Sequence, residues 1–153
     1  VARGNALLVM AAAMSVGAMI YGPLDRILGT RKWIVVIGSA VTAACFLALG
    51  LLELPLVPAT MVMAALGAFG MTYGVLMAHG RSFFPDHLLG RGLTLMNVLF
   101  LGGAGLLQPL SGALMKGWAA EDPATAYASL HVIFGVLLFV SLAVYLVARD
   151  RPA

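Results

Sequence analysis

The side chains with the widest chemical capacity lie close together in the segment 79–87. His79, Asp86 and His87 are residue types that bind zinc or transfer protons. They lack the His-x-x-x-His spacing of a helical metal site, and they are too few to enclose a metal ion. The sequence therefore favours solvated loop residues at the level of the lipid headgroups. We expect neither a metal nor another cofactor.

A second polar segment, residues 21–32, concentrates charge, glycine and proline between two long apolar runs. It contains Gly22, Asp25, Arg26, Gly29, and the basic pair Arg31-Lys32. This mixture predicts a tight, hydrated connection between two membrane-buried helices.

The flanking elements are long enough to cross a bilayer. Hydrophobic residues make up 62% of the chain and charged residues 10%, which is too little polar surface for a water-soluble globule. Five runs lack Asp, Glu, Lys and Arg, and a membrane-spanning helix needs about 20 residues. We predict an all-α integral membrane protein with five transmembrane helices, near 4–22, 33–52, 57–78, 92–115 and 125–148. A signal peptide is the alternative for the first run, but no cleavage site follows it.

The basic residues divide unevenly between the two ends of these helices. Only Arg3 and Lys116 fall on one side. The other side holds Arg26, Arg31, Lys32, Arg81, Arg91, Arg149 and Arg151. Because short cytoplasmic loops carry excess Lys and Arg, we expect the N-terminus outside and the C-terminus in the cytoplasm.

Residues 21–32 resemble the loop signature of the major facilitator superfamily, G-x-x-x-D-R-x-G-R-R/K, which joins two transmembrane helices on the cytoplasmic side. The matching positions are Gly22, Asp25, Arg26, Gly29, Arg31 and Lys32. One residue is missing before the aspartate and one is added before the second glycine, as in the looser copy often found in the second half of these transporters. A later segment is also similar to the family, with Phe83-Phe84-Pro85, then Gly90-Arg91-Gly92, then Asn97 one turn into a helix.

The resemblance implies a secondary active transporter that moves a small solute by alternating access. The five helices would match spans eight to twelve of the twelve-span fold, as a partial C-terminal half. A start at Val1 also suggests a piece of something longer. Expected partners are a solute, possible coupling ions, membrane lipids and the missing N-terminal helices, with no nucleic acid. We expect it in the bacterial cytoplasmic membrane.

The resemblance also assigns roles to residues. Asp25 is expected to contact the start of the fourth transmembrane helix, near Gly90 and Arg91, when the cytoplasmic ends are together, and so to act as a conformational switch. Candidate residues of the substrate pathway are Thr72, Tyr73, Asn97 and Gln108, for which structural roles stay open.

Two alternatives to a transporter remain. One is a membrane-embedded enzyme that uses the His and Asp residues of the cytoplasmic face. The other is a truncated membrane protein that does not transport. No Gly-x-x-x-x-Gly-Lys-Ser/Thr motif is present, so transport would draw on an ion gradient or on the gradient of the solute.

Overall fold

A computed structural model describes residues 2–118 and 122–151, with side chains from residue 4 onward. These residues form six α-helices and one short 3₁₀ helix, with no strand among them. The bounds are α1 Ala2–Leu28, α2 Lys32–Leu51, α3 Leu56–Phe69, α4 Tyr73–Arg81, the 3₁₀ helix Asp86–Leu88, α5 Leu89–Trp118 and α6 Pro123–Leu146.

Five of the resulting segments are long and apolar enough to cross a membrane, because α3 and α4 together form one span, Leu56–Arg81. That span is interrupted by a turn at residues 70–72. Large apolar side chains lie on the outside of the bundle, with Met19 79% and Leu8 72% exposed. Such a surface is stable in lipid and not in water. The expected all-α membrane protein with five spanning segments is confirmed at this level.

The first two helices are joined by a shorter connection than the charged segment suggests. Helix α1 continues past Pro23 to Leu28, which leaves three residues before α2. Gly29 has a φ of 65°, and its N–H donates to the carbonyl of Asp25 at 3.0 Å. This is the left-handed end of a helix, which glycine adopts without steric cost.

Small residues allow the helices to approach closely. Helix α1 packs on α3, and α2 packs on both α3 and α6. A Cβ added at Gly17 would overlap the backbone of Ala68, and one at Gly135 would lie 2.7 Å from Leu47 Cδ2. Apolar helices in lipid gain no hydrophobic free energy by associating, so this close packing carries much of the stability.

The ends of α1, α4 and α6 meet the start of α2 at one end of the bundle, which we call the basic end. It comprises the α1–α2 connection, the segment between α4 and α5, and residues 147–151 after α6, called the tail. Side chains from four helices form a packed cluster there, namely Tyr21, Leu24, Ile34, Val35, Val75, Leu76 and Tyr145. Of the two basic residues expected at the opposite end, Lys116 lies in the last turn of α5. The side chain of Arg3 is outside the described part.

Candidate functional site

An ion pair joins the two sides of the α1–α2 connection. Arg31 Nε donates to Asp25 Oδ2 at 3.2 Å. The two side chains are 21% and 15% exposed, respectively. Because both groups are mostly removed from solvent, each neutralises a charge that would be costly to leave alone. The pair lies inside the signature segment, but sequence reasoning did not predict it.

The contact expected between Asp25 and the start of α5 is not among the hydrogen bonds of the described residues. Gly90 and Arg91 are exposed. The 3₁₀ helix precedes α5, and the ring of Phe84 covers Gly92 so closely that an added Cβ would lie 2.6 Å from it. The first turn of α5 is therefore packed against its own connection. A contact with Asp25 stays a prediction for a different arrangement of the helices.

The remaining signature residues have different surroundings. Gly22 and Arg26 are exposed on α1. Lys32 begins α2, and its Nζ donates to the carbonyl of Leu146 at 2.8 Å, which ties α2 to the end of α6. The signature segment thus contacts the end of α6 as well as connecting two helices.

A groove of about 350 Å³ runs between α1 and α4. Its lining is mainly apolar and includes two groups from the signature, Gly22 and Asp25, together with Tyr73 from α4. At its edge Tyr21 donates its hydroxyl to the carbonyl of Phe69 at 3.2 Å, where α3 ends. The groove therefore brings a signature carboxylate and a predicted pathway residue to one concave surface.

Two of the four predicted pathway residues are in direct contact. Tyr73 donates its hydroxyl to Asn97 Oδ1 at 2.6 Å, and its ring lies 4.4 Å from that of Phe100, measured between centroids. This polar bond joins α4 to α5. Both residues are exposed on the surface of the bundle, and polar groups at membrane depth are stabilised when they bond each other in this way.

The other two pathway candidates do not join this pair. Thr72 is half-buried in the turn between α3 and α4, with its methyl group against Gly38 of α2. Gln108 is exposed on α5, about 16 Å along the helix axis from Asn97. The structure therefore brings two of the four candidates together and leaves the other two apart.

His79 is buried, with 1% of its surface exposed. Its Nε2 lies 3.0 Å from the carbonyl oxygen of Arg149, and its Nδ1 lies 2.5 Å from the hydroxyl of Tyr145. A carbonyl only accepts, so Nε2 carries a hydrogen and donates it to Arg149. The expectation of a solvated loop residue is wrong for His79, because α4 extends to Arg81 and places it inside the bundle.

The two other residues of that segment have the expected exposure. Asp86 and His87 are both exposed in the 3₁₀ helix. Among residues 2–118 and 122–151, no three His, Cys, Asp or Glu side chains are close enough together to hold a metal ion.

The tail supplies contacts that sequence reasoning missed. Asp150 Oδ2 accepts from Thr30 Oγ1 at 2.6 Å, and Asp150 Oδ1 accepts from the Lys32 N–H at 3.2 Å. The bond from Thr30 is the first cause that lowers the pKa of Asp150, since it stabilises the carboxylate. No local pattern identifies these partners, which are more than a hundred positions apart in the sequence.

Comparison with protein-family models, with curated proteins and with solved structures found no match for this chain.

Proposed function

We propose that the chain is part of a secondary active transporter of the major facilitator superfamily and moves a small solute by alternating access. The observation that carries this proposal is the resemblance of residues 21–32 to the superfamily signature. The five apolar segments around it support the same assignment. In this proposal they correspond to spans eight to twelve, in a bacterial cytoplasmic membrane with the C-terminus inside.

The groove between α1 and α4 is the proposed part of the solute pathway. It is concave, mainly apolar and carries few polar groups, as small-molecule sites do. Tyr73 and Asn97 would offer the solute their remaining hydrogen-bonding capacity, because their mutual bond uses one donor and one acceptor. Thr72 and Gln108 belong to the proposal as flanking positions.

Asp25 is the proposed switch. Its ion pair with Arg31 holds a carboxylate that lines the groove. Exchange of this partner for the N-terminal N–H groups of α5 would favour one of the two alternating states, since such groups attract an anion. Gly90 and Arg91 would then come close to Asp25.

We propose that helices outside this chain provide the binding site of the coupling ion and the second wall of the pathway. The charge-free runs of the sequence offer no carboxylate at membrane depth that could carry a proton. In transporters of this kind the solute site lies between two halves. The N-terminal helices of the same transporter are therefore the proposed partner of the exposed faces of α1 and α5.

A catalytic role is not proposed. Both ring nitrogens of His79 are engaged within the protein. The remaining His and Asp residues of that segment, Asp86 and His87, are exposed and belong to no cluster of three ligands in the described chain.

Uptake by proteoliposomes tests the proposal. The full protein that contains this chain is reconstituted, and a panel of radiolabelled solutes is screened with and without proton and sodium gradients. We expect saturable uptake of at least one solute, reduced by Asp25→Asn and unchanged by Asp86→Asn, which removes an exposed carboxylate near the same end. If folded protein moves no solute under any gradient, or if both variants behave alike, the proposal is overturned.

A further inference from the structure

The tail caps helix α2 from a distant part of the chain. The first N–H groups of a helix have no partner within the helix, and the N-cap residue of α2, Arg31, makes no side-chain cap. The Thr30 hydroxyl accepts a long bond from the Trp33 N–H, at 3.4 Å, which leaves the Lys32 N–H to another partner. Asp150 provides this cap, because its carboxylate accepts from the Lys32 N–H and from the neighbouring Thr30 hydroxyl. A carboxylate is favoured there by the helix dipole as well as by the two hydrogen bonds.

The same tail is bonded to the end of helix α4. The buried ring of His79 donates from Nε2 to the carbonyl of Arg149. Two residues later, Arg151 Nη1 donates to the carbonyl of Ser82 at 2.5 Å, and the guanidinium lies 4.6 Å from the ring centroid of Phe83. The tail therefore contacts both the start of α2 and the end of α4.

The bundle depends on such polar contacts because its apolar helices are surrounded by lipid. Their association rests on close packing and hydrogen bonds, and not on the hydrophobic effect. The carbonyl of Leu146, the last residue of α6, also accepts from Lys32 Nζ. At the basic end, three helices are thus joined by the tail and by the residue that precedes it.

We propose that the tail is a latch, with Asp150 and His79 as its two attachment points, which keeps the ends of α2, α4 and α6 together. Detachment of the tail leaves the Lys32 N–H without its cap and removes one of the two partners of the buried His79 ring, the carbonyl of Arg149. The basic end then loosens. This inference rests on the contacts of the tail and is independent of the proposed transport activity.

Limited proteolysis of the purified protein measures whether the tail is attached. Trypsin can cut the tail at the Arg149–Asp150 bond, whereas the Arg151–Pro152 bond resists it because proline follows. We expect this cut to be about tenfold slower than in a free peptide of residues 145–153. We expect Thr30→Val to accelerate it about tenfold, because the variant removes a hydrogen bond to a charged group without altering the cleavage site. The variant also removes the longer bond from the Trp33 N–H, which does not involve the tail.

Thr94→Val is the matched control. The Thr94 hydroxyl bonds the carbonyl of Gly90 in its own helix, so its loss leaves the tail untouched and the cleavage rate unchanged. Amide hydrogen exchange adds a second comparison in the same samples. Thr30→Val should speed exchange of the Lys32 N–H, which bonds Asp150 and not Thr30. Exchange in the first turn of α6, where Asp122 caps the Ala124 N–H, should not change. Equal cleavage rates for the wild type and the free peptide, or for wild type and Thr30→Val, would overturn the latch.

Thiol cross-linking tests the attachment by proximity. The two cysteines replace the bond between Thr30 and Asp150, so the contacts of Arg149 with His79 and of Arg151 with Ser82 must hold the tail in place. In a Cys45→Ala background, a short bis-thiol reagent should join cysteines placed at positions 30 and 150 by Thr30→Cys and Asp150→Cys. The control pair uses Glu53→Cys with Asp150→Cys, since Glu53 follows the far end of α2 and lies about 30 Å away. Absence of the first cross-link, or equal formation of both, would contradict the proposal.

Discussion

The ion pair between Asp25 and Arg31 should contribute measurably to folding. Two unit charges 3.2 Å apart attract by about 5 kcal/mol at an effective dielectric constant of about 20. Desolvation of both groups offsets most of this attraction, and exposed pairs retain less than about 1 kcal/mol. With side chains that are 15% and 21% exposed, we expect a coupling free energy of about 1–2 kcal/mol.

A double-mutant cycle measures this coupling. Asp25→Asn, Arg31→Gln and the double variant are unfolded in mixed micelles of rising SDS content, with fluorescence of the two tryptophans as the signal. Each single variant should destabilise the protein, because a half-buried charge loses its partner. The double variant should be more stable than the sum of the single losses predicts.

The same cycle needs a comparison in which no ion pair exists. Glu53→Gln combined with Arg31→Gln serves this purpose, because Glu53 is exposed beyond the far end of α2, about 30 Å from Arg31. When two sites are independent, the loss of stability in the double variant equals the sum of the two single losses to within about 0.3–0.5 kcal/mol. A coupling for Asp25 and Arg31 that falls inside this range would refute the reasoning that burial makes the pair stabilising.

Three further outcomes follow from particular contacts. Tyr73→Phe should lower the free energy of unfolding by about 1 kcal/mol, since Asn97 loses its donor, as measured by the same denaturation. Gly135→Leu should destabilise by about 1–3 kcal/mol through overlap across the α2–α6 interface, whereas Gly105→Ala, which faces open space, should be neutral or stabilising. The pKa of Asp150 lies below its ordinary value of 3.8, so its contribution is present above that pH and is lost as the pH falls through the lowered pKa. The difference in melting temperature between wild type and Asp150→Asn should thus be constant from about pH 8 to 5 and shrink below about pH 4.

The spanning segments were predictable because a bilayer imposes a simple rule. A charged side chain at membrane depth is costly, so uninterrupted runs such as 33–52 mark helices that cross it. The left-handed end at Gly29 was not predicted, because the first span was expected to end near residue 22, although a glycine after a helical run is a local signal for such an end. These are local properties that need no knowledge of neighbouring helices.

The polar contacts of the site were decided by tertiary structure. Sequence reasoning proposed Tyr73 and Asn97 separately, but their hydrogen bond depends on how α4 lies against α5. The sequence predicted that His79 lies in solvent. In the structure its ring is buried beside Tyr145 by the packing of the helices. Hydrophobic patterning places a residue at a depth in the membrane but does not specify which helix faces it.

The sequence by itself determined that this protein is a bundle of five apolar spans with most of its positive charge at one end. Only the tertiary structure decided that the tail reaches the start of α2, where Asp150 meets Thr30 across 120 positions. The physical reason is the separation along the chain over which each effect acts. Hydrophobicity, charge and backbone preference act on each segment alone, whereas a hydrogen bond between distant residues forms only after the packing of whole helices has brought its donor and acceptor together.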